Sequence, residues 1–345
     1  MRKLLVMVVL AVGVMVSTSF GQNAGVVWTE VKNSPLKEEM HSYIVWGKDR
    51  FVAAGWNRTI AYSLDGVTWT AVKDNPFESI ASIYWYNGWF IACGVGKEDS
   101  TGSRKDISAY SSDGITWTSY ESDFRFNNIA YGNNKFVAIN NDCNVAYSTD
   151  GVTWSLASVD DWFSGFSCVG GEGGMSGRFN VVWGNGMFIS LMPYLAHEDI
   201  GIRTRYSLDG INWTATEEHG QSFGYVVWGN DKFVASGRGI RYSSDGITWK
   251  EVKSNIFGVH NGKHTGRYTG TIAWGNNKFI VHVYYDECGE DYCATRGEKF
   301  AYSSDGITWA LAKNYPFGKS ATTKIVYGNG VFVAVSEDGK LAYSK

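Results

Sequence analysis

The chain has 345 residues, with 41 Gly, 15 Trp, 20 Tyr and 18 Phe against only 4 Pro, and 19% of its residues are charged. This composition is typical of a turn-rich β protein with an aromatic core and argues against intrinsic disorder. The formal net charge is −3 and becomes −5 if the two positive charges of Arg2 and Lys3 leave with a leader. The chain therefore lacks the basic field that attracts nucleic acid.

The N-terminus has the layout of a secretory signal peptide. Arg2 and Lys3 precede an apolar run of 13 residues, 4–16, and small and polar residues follow up to Gly21. The run is shorter than the roughly 20 residues that span a bilayer, although an uncleaved anchor is the alternative. We expect a cleaved signal peptide over 1–21, a single domain over 22–345 without a membrane span, and a secreted or periplasmic protein.

Asp-Gly turns dominate the rest of the chain. The pattern Tyr-Ser-x-Asp-Gly-[Ile/Val]-[Thr/Asn]-Trp occurs six times, at 62–69, 110–117, 147–154, 206–213, 242–249 and 302–309. A second pattern, in which an aromatic residue leads through a short turn to Phe-[Val/Ile], precedes each copy and occurs a seventh time at 327–333. Seven units of roughly 46 residues match the period of a β-propeller.

Each unit is predicted to contain four short strands. In the first unit these are 44–46, 51–54, 61–63 and 68–72. Asp-Gly between the last two is a strong hairpin signal, because glycine accepts a positive φ and the aspartate side chain bonds to nearby backbone N–H groups. The pattern predicts an all-β protein of four-stranded blades.

The seventh unit ends at Ser344 without an Asp-Gly turn or a fourth strand. The N-terminal segment 28–32, Trp-Thr-Glu-Val-Lys, matches 69–73, which is the fourth strand of the first unit. We therefore predict a seven-bladed β-propeller whose ring is closed by the N-terminal strand, Trp28 to Lys32, completing the last blade.

The repeated turn resembles the Asp-box, or BNR repeat, of sialidase-like propellers over roughly residues 25–345, although its glycine follows the aspartate one residue sooner. In that family the box is a structural turn remote from the active centre, so the resemblance implies a fold and leaves the activity open. The Arg-Ile-Pro motif that commonly opens the sialidase arginine triad is absent. The resemblance assigns a structural role to Asp65, Asp113, Asp150, Asp209, Asp245 and Asp305.

Five cysteines occur in the chain. The short spacing of Cys288 and Cys293 predicts a disulfide that clips one loop. Cys143 and Cys168 are the candidates for a second bridge, whereas Cys93 falls inside a strand and is predicted to be a buried free thiol. None of the spacings matches a zinc site, and we expect no metal ion and no cofactor.

Long insertions fall on one face of the predicted disc. They lie in the loops between second and third strands and in the crossings between blades, whereas the opposite face carries uniform short turns. Variable loops on a rigid scaffold commonly carry function. The positions just before each inner strand ring the channel mouth on that face and differ from blade to blade, which favours one composite site. The ligand-binding candidates are His41, Tyr43, Asn128, Trp162, Arg178, Asn180, Tyr225 and Lys324.

Aromatic side chains among carboxylates in these loops suit a carbohydrate, because a ring face stacks on a sugar while acids bond to its hydroxyls. A rigid propeller also suits a protein ligand. We predict an exported binding or scaffold protein that recognises a glycan or a protein through the long-loop face. The alternative is a secreted glycoside hydrolase, with Asp161 and Glu198 nominated as its acid and base.

Overall fold

The structure is a computed structural model. It describes residues 23–36, 42–56, 58–98, 102–121, 126–140, 144–159, 180–196, 199–216, 223–257, 266–288 and 293–345. These residues form seven β-sheets, which are antiparallel except for one short parallel strand in the fourth, and the inner strand of each sheet contacts the inner strands of its two neighbours around a closed ring. The predicted seven-bladed β-propeller is confirmed.

The strands are named in chain order. The N-terminal strand is β1 (Thr29–Glu30), and blade 1 contains β2 (Tyr43–Gly47), β3 (Arg50–Ala54), β4 (Ile60–Ser63) and β5 (Thr70–Ala71). Blade 2 contains β6 (Phe77–Tyr86), β7 (Trp89–Gly96), β8 (Asp106–Ser111) and β9 (Thr118–Glu121). Blade 3 contains β10 (Phe126–Gly132), β11 (Lys135–Asn140), β12 (Val145–Ser148) and β13 (Ser155–Leu156).

Blade 4 contains β14 (Ser158–Val159), β15 (Asn180–Gly184), β16 (Met187–Ala196), β17 (Asp199–Ser207) and β18 (Asn212–Ala215). Blade 5 contains β19 (Phe223–Gly229), β20 (Lys232–Gly237), β21 (Gly239–Ser243) and β22 (Lys250–Glu251), and a 3-10 helix follows at Asn255–Phe257. Blade 6 contains β23 (Gly266–Gly275), β24 (Lys278–Cys288), β25 (Cys293–Ser303) and β26 (Ala310–Leu311). Blade 7 contains β27 (Thr322–Gly328), β28 (Val331–Ser336) and β29 (Leu341–Ser344).

Blade 4 departs from the predicted four strands. The short strand β14, which follows blade 3 in the chain, pairs in parallel with the outer strand β18. The backbone N–H of Ser158 also donates to the carbonyl of Ile211 over 2.9 Å. This fifth strand covers the outer edge of blade 4, which would otherwise present unpaired backbone groups.

The N-terminal strand closes the ring. β1 pairs antiparallel with β29, so that Thr29 faces Tyr343 and Glu30 faces Ala342. The backbone N–H of Val31 extends this contact by donating to the carbonyl of Leu341 over 2.7 Å. Blade 7 thus has four strands from both ends of the chain, as predicted, although the closing strand covers only two residues.

The two chain ends also assemble a seventh turn of the repeated type. The backbone N–H of Gly25 donates to the Ser344 hydroxyl over 2.8 Å, and the Trp28 indole N–H donates to the Gly25 carbonyl over 3.2 Å. Within blade 1, the same two hydrogen bonds join Gly66 to Ser63 and Trp69 to Gly66. The turn that the C-terminus lacks is therefore completed by residues more than 300 positions away.

Aromatic side chains packed on glycine join neighbouring blades. A Cβ atom on Gly47, at the end of β2, would lie only 2.0 Å from the Trp85 ring of blade 2. The equivalent glycines of five other blades receive an aromatic ring in the same way; they are Gly132, Gly184, Gly229, Gly275 and Gly328. Blade 2 has Tyr86 instead, and its hydroxyl donates to the Ile129 carbonyl of blade 3 over 2.7 Å.

The short turns after the inner strands all have two consecutive residues with positive φ. This is the conformation of the type I′ hairpin that matches the twist of antiparallel strands. In four blades the first turn residue is an asparagine that donates from its side chain to a backbone carbonyl beside the Asp-Gly turn of the next blade. Across the ring closure, Asn329 donates to the Leu64 carbonyl over 3.1 Å. These contacts tie neighbouring blades together on the short-turn face.

Candidate functional site

The repeated aspartates lie in the short turns, where they bond to their own backbone. The Asp150 carboxylate accepts hydrogen bonds from the backbone N–H groups of Val152 and Thr153, each over 2.8 Å, and from the Ser148 hydroxyl over 2.9 Å. The two backbone donors lower the pKa of Asp150 to about 2, against a smaller opposing effect of burial. The equivalent hydrogen bonds form at Asp65, Asp113, Asp209, Asp245 and Asp305.

A channel of about 340 Å³ runs between the inner strands at the centre of the ring. Its wall contains backbone and apolar side chains from the middle of these strands, including Val45, Val182 and Val227. Four of the predicted ligand-binding residues also line it, and they come from blades 3, 4, 5 and 7. They are Asn128, Asn180, Tyr225 and Lys324.

Among the described residues that line the channel, Lys324 is the one cation and none is Asp or Glu. Its side chain is partly buried, and this desolvation lowers the pKa of the ammonium group. Within the part of the chain that the structure describes, Lys324 forms no ion pair and no side-chain hydrogen bond. The channel thus holds a positive charge that these residues do not neutralise.

Three tyrosines lie close together at the channel. Burial, and secondarily the neighbouring Tyr225, raises the pKa of Tyr43, which lies beside the channel lining. Burial also raises the pKa of Tyr84 well above its usual value, against an opposing hydrogen bond from Ser82. Tyr84 was missed by the sequence analysis, although it stands where the equivalent positions of the other blades hold only Val or Ala. These hydroxyls stay protonated at neutral pH and can donate hydrogen bonds to a ligand.

The other polar residues at the starts of the inner strands differ in whether their side chains have a hydrogen-bond partner among the described residues. Asn128 joins blades 3 and 4, because its side-chain oxygen accepts from the backbone N–H of Val181 over 2.9 Å. Asn180 forms no side-chain hydrogen bond with any described residue. On the blades that flank blade 7, the hydroxyls of Ser42 and Thr271 are buried and have no partner among the described residues.

Several predicted residues lie outside the described residues. They are His41, Trp162 and Arg178 of the binding candidates, the nominated acid and base Asp161 and Glu198, and the cysteine pair Cys143 and Cys168. Cys288 and Cys293 are backbone partners in the register of β24 and β25, and their disulfide stays a prediction. Cys93 is buried and free, as predicted, and burial raises the pKa of its thiol to about 11.

A buried ionisable pair at the boundary between blades 6 and 7 was not predicted. The His282 ring hydrogen-bonds to the Glu298 carboxylate, and both side chains are less than 5% exposed. The imidazole is stacked between Tyr284 and Tyr315, with ring centroids 5.6 and 5.7 Å away. Sequence gave little signal for this pair, because its members lie on separate strands and are not part of the repeat.

The described ranges contain neither a helix long and apolar enough to cross a membrane nor a cluster of three metal-ligating side chains.

No family model matches the chain, and no curated protein matches it. Solved structures do match the chain. YCF48 from Cyanidioschyzon merolae is 14% identical with a TM-score of 0.59, and the alignment covers 92% of this chain and 98% of that one. A structure of YCF48 bound to D1 peptide is 15% identical with a TM-score of 0.61, covering 93% and 97%.

An inactive virginiamycin B lyase from Staphylococcus aureus, in complex with quinupristin, is 11% identical with a TM-score of 0.60, covering 92% of this chain and 98% of that one. The similarity is one of fold. At these identities a shared propeller does not transfer a ligand or an activity, because one fold supports many unrelated sites.

Proposed function

We propose that this chain is an exported binding protein that holds an extended segment of another protein at the mouth of its central channel. The observation that carries this proposal is the contrast between scaffold and mouth. The blades repeat the same turns and aromatic contacts, whereas the inner strands present Asn128, Asn180, Tyr225 and Lys324 to one channel. Export is inferred from the leader at 1–21 alone.

The chemistry of the channel suits a polypeptide. A ligand site usually combines an apolar wall with a few convergent polar groups, and here valines alternate with amide, hydroxyl and ammonium donors. A peptide offers carbonyl and carboxylate acceptors to such donors, and its side chains can pack on the valines. The YCF48 complex with D1 peptide is an example of a propeller with a peptide ligand. A glycosidase function would depend on Asp161 and Glu198, which lie outside the described residues.

The test is selection of phage-displayed peptides on the immobilised protein, with a glycan array probed in parallel. The decisive variant is Val227→Trp, which fills the channel, and its matched control is Val152→Trp, which adds the same ring at an exposed site on the short-turn face. Circular dichroism checks that both variants fold.

We expect enriched peptides to bind the native protein and Val152→Trp and to lose binding to Val227→Trp. Two results would overturn the proposal: peptides that bind the filled variant as well as the native protein, or retained signal on a glycan with no enriched peptide. Loss of a printed glycan over time would instead indicate hydrolysis.

A further inference from the structure

The channel has an uncompensated positive character. Lys324 lines it, and of the residues that the structure describes, none in the lining is Asp or Glu and none pairs with the ammonium group. A partly buried charge without a partner is unfavourable unless something neutralises it. An anion in the channel would supply that partner.

Two other side chains of the channel lining can donate hydrogen bonds. Asn180 has an amide without a described partner, and Tyr225 contributes a hydroxyl to the same lining. Donors of this kind complement a carboxylate, whose two oxygens accept several hydrogen bonds at once.

We propose that the channel mouth binds a carboxylate of the bound segment, with Lys324 as the ion-pair partner and with Asn180 and Tyr225, from the same channel lining, as further donors. The carboxylate comes from an acidic side chain or from the C-terminus of the ligand. This inference rests on the proposed function for the identity of the ligand, but on the channel alone for the charge of the group bound there.

The partial burial of Lys324 affects how much its contact with a carboxylate contributes to binding. A charge-assisted hydrogen bond of this kind contributes substantially more than one between neutral groups. Replacing the carboxylate by an amide, or Lys324 by Met, is therefore expected to weaken binding about ten- to a hundredfold. Because burial lowers the pKa of Lys324, a bound anion is expected to raise it.

The first experiment uses acetate as the probe and needs no peptide. Lysine amines are labelled by reductive ¹³C-methylation, and the Lys324 resonance is assigned by its absence in Lys324→Arg. We expect acetate, but not chloride at the same ionic strength, to shift this resonance and raise its apparent pKa. The resonance of Lys135, on the opposite face of the ring, is expected to stay unchanged. If acetate leaves the Lys324 resonance where chloride does, the inference is wrong.

The second experiment separates this inference from the proposed function. Each selected peptide is made with a free or an amidated C-terminus, and also with each Asp or Glu changed to its amide. The affinity of these peptides is then measured for the native protein, Lys324→Met, Lys324→Arg and the control Lys135→Met. We expect binding to require one carboxylate per peptide, and the position of that carboxylate shows whether an acidic side chain or the C-terminus is bound. Equal affinity for the native protein and Lys324→Met would overturn the carboxylate site while leaving peptide binding intact. An acetate response without any peptide binder would support the carboxylate site and overturn the proposed peptide binding.

Discussion

The substitution Trp28→Ala tests the closure of the ring. Trp28 is 3% exposed, its ring lies 4.5 Å from the ring of Phe300, and its indole N–H completes the turn assembled from both chain ends. Truncation of a buried tryptophan typically costs about 3–5 kcal/mol. Because whole domains are stable by only about 5–15 kcal/mol, this is a large fraction of the free energy of unfolding.

The matched control is Trp309→Ala. Trp309 is 8% exposed and its indole N–H donates to the Gly306 carbonyl over 3.1 Å, so its turn has the same geometry within a continuous stretch of chain. Trp89→Ala, at a side chain that is 48% exposed, provides a second control and is expected to cost less than about 1 kcal/mol. Urea unfolding followed by far-UV circular dichroism measures all three.

Both buried substitutions are expected to lower stability by similar amounts, but only Trp28→Ala is expected to release the N-terminal strand. Hydrogen exchange should then show fast exchange at Thr29 and Val31, whose amide protons the ring closure otherwise protects. A cost below about 1 kcal/mol for Trp28→Ala would refute the reasoning. So would protection of these amides equal to that in Trp309→Ala.

Three further predictions concern packing and charge. The pKa of Asp150 is about 2 in the folded state and about 3.9 when unfolded. Its stabilising contribution is therefore complete above about pH 5 and is lost as the pH falls through the folded pKa of about 2. The difference in urea midpoint between the native protein and Asp150→Asn should shrink over that range. Gly132→Ala places a Cβ atom 2.0 Å from the Trp183 ring and is expected to cost about 1–3 kcal/mol in urea unfolding, and an unchanged midpoint would contradict this packing. His282→Leu and Glu298→Leu each leave one buried group without its partner, and each is expected to lower the free energy of unfolding by about 3–5 kcal/mol. The double variant should recover part of the loss, and additive losses in the double-mutant cycle would contradict the pairing.

The channel mouth could be located in advance because it follows from strand order. Once each unit is read as four antiparallel strands, the residues just before every inner strand must meet at one end of the channel. This strand order predicts Tyr43, Asn128, Asn180, Tyr225 and Lys324; the last four line the channel, Tyr43 lies beside the lining, and their role in binding stays a prediction. Tyr84 lies further along its strand than these positions, and comparison of the repeats at its own position shows the exception.

The seven-bladed fold, the four-stranded core of each blade and the closure of the ring follow from the sequence pattern, whereas the fifth strand of blade 4 does not. The pattern predicts these features because they depend on local chemistry repeated along the chain: Asp-Gly and Asn-containing turns require a positive φ, and short alternating strands lie between them. Repetition also made the missing strand of the last unit visible.

Which distant groups meet follows from the tertiary structure. The turn shared by Gly25 and Ser344, the pairing of His282 with Glu298 and the place of Lys324 in the channel lining all depend on how separate strands are brought together. Hydrogen bonding and desolvation act over a few ångströms in space, whereas these residues are separated along the chain by as many as 319 positions. A repeat pattern predicts where the blades lie, but the residues that depart from the pattern acquire their partners only when the ring has closed.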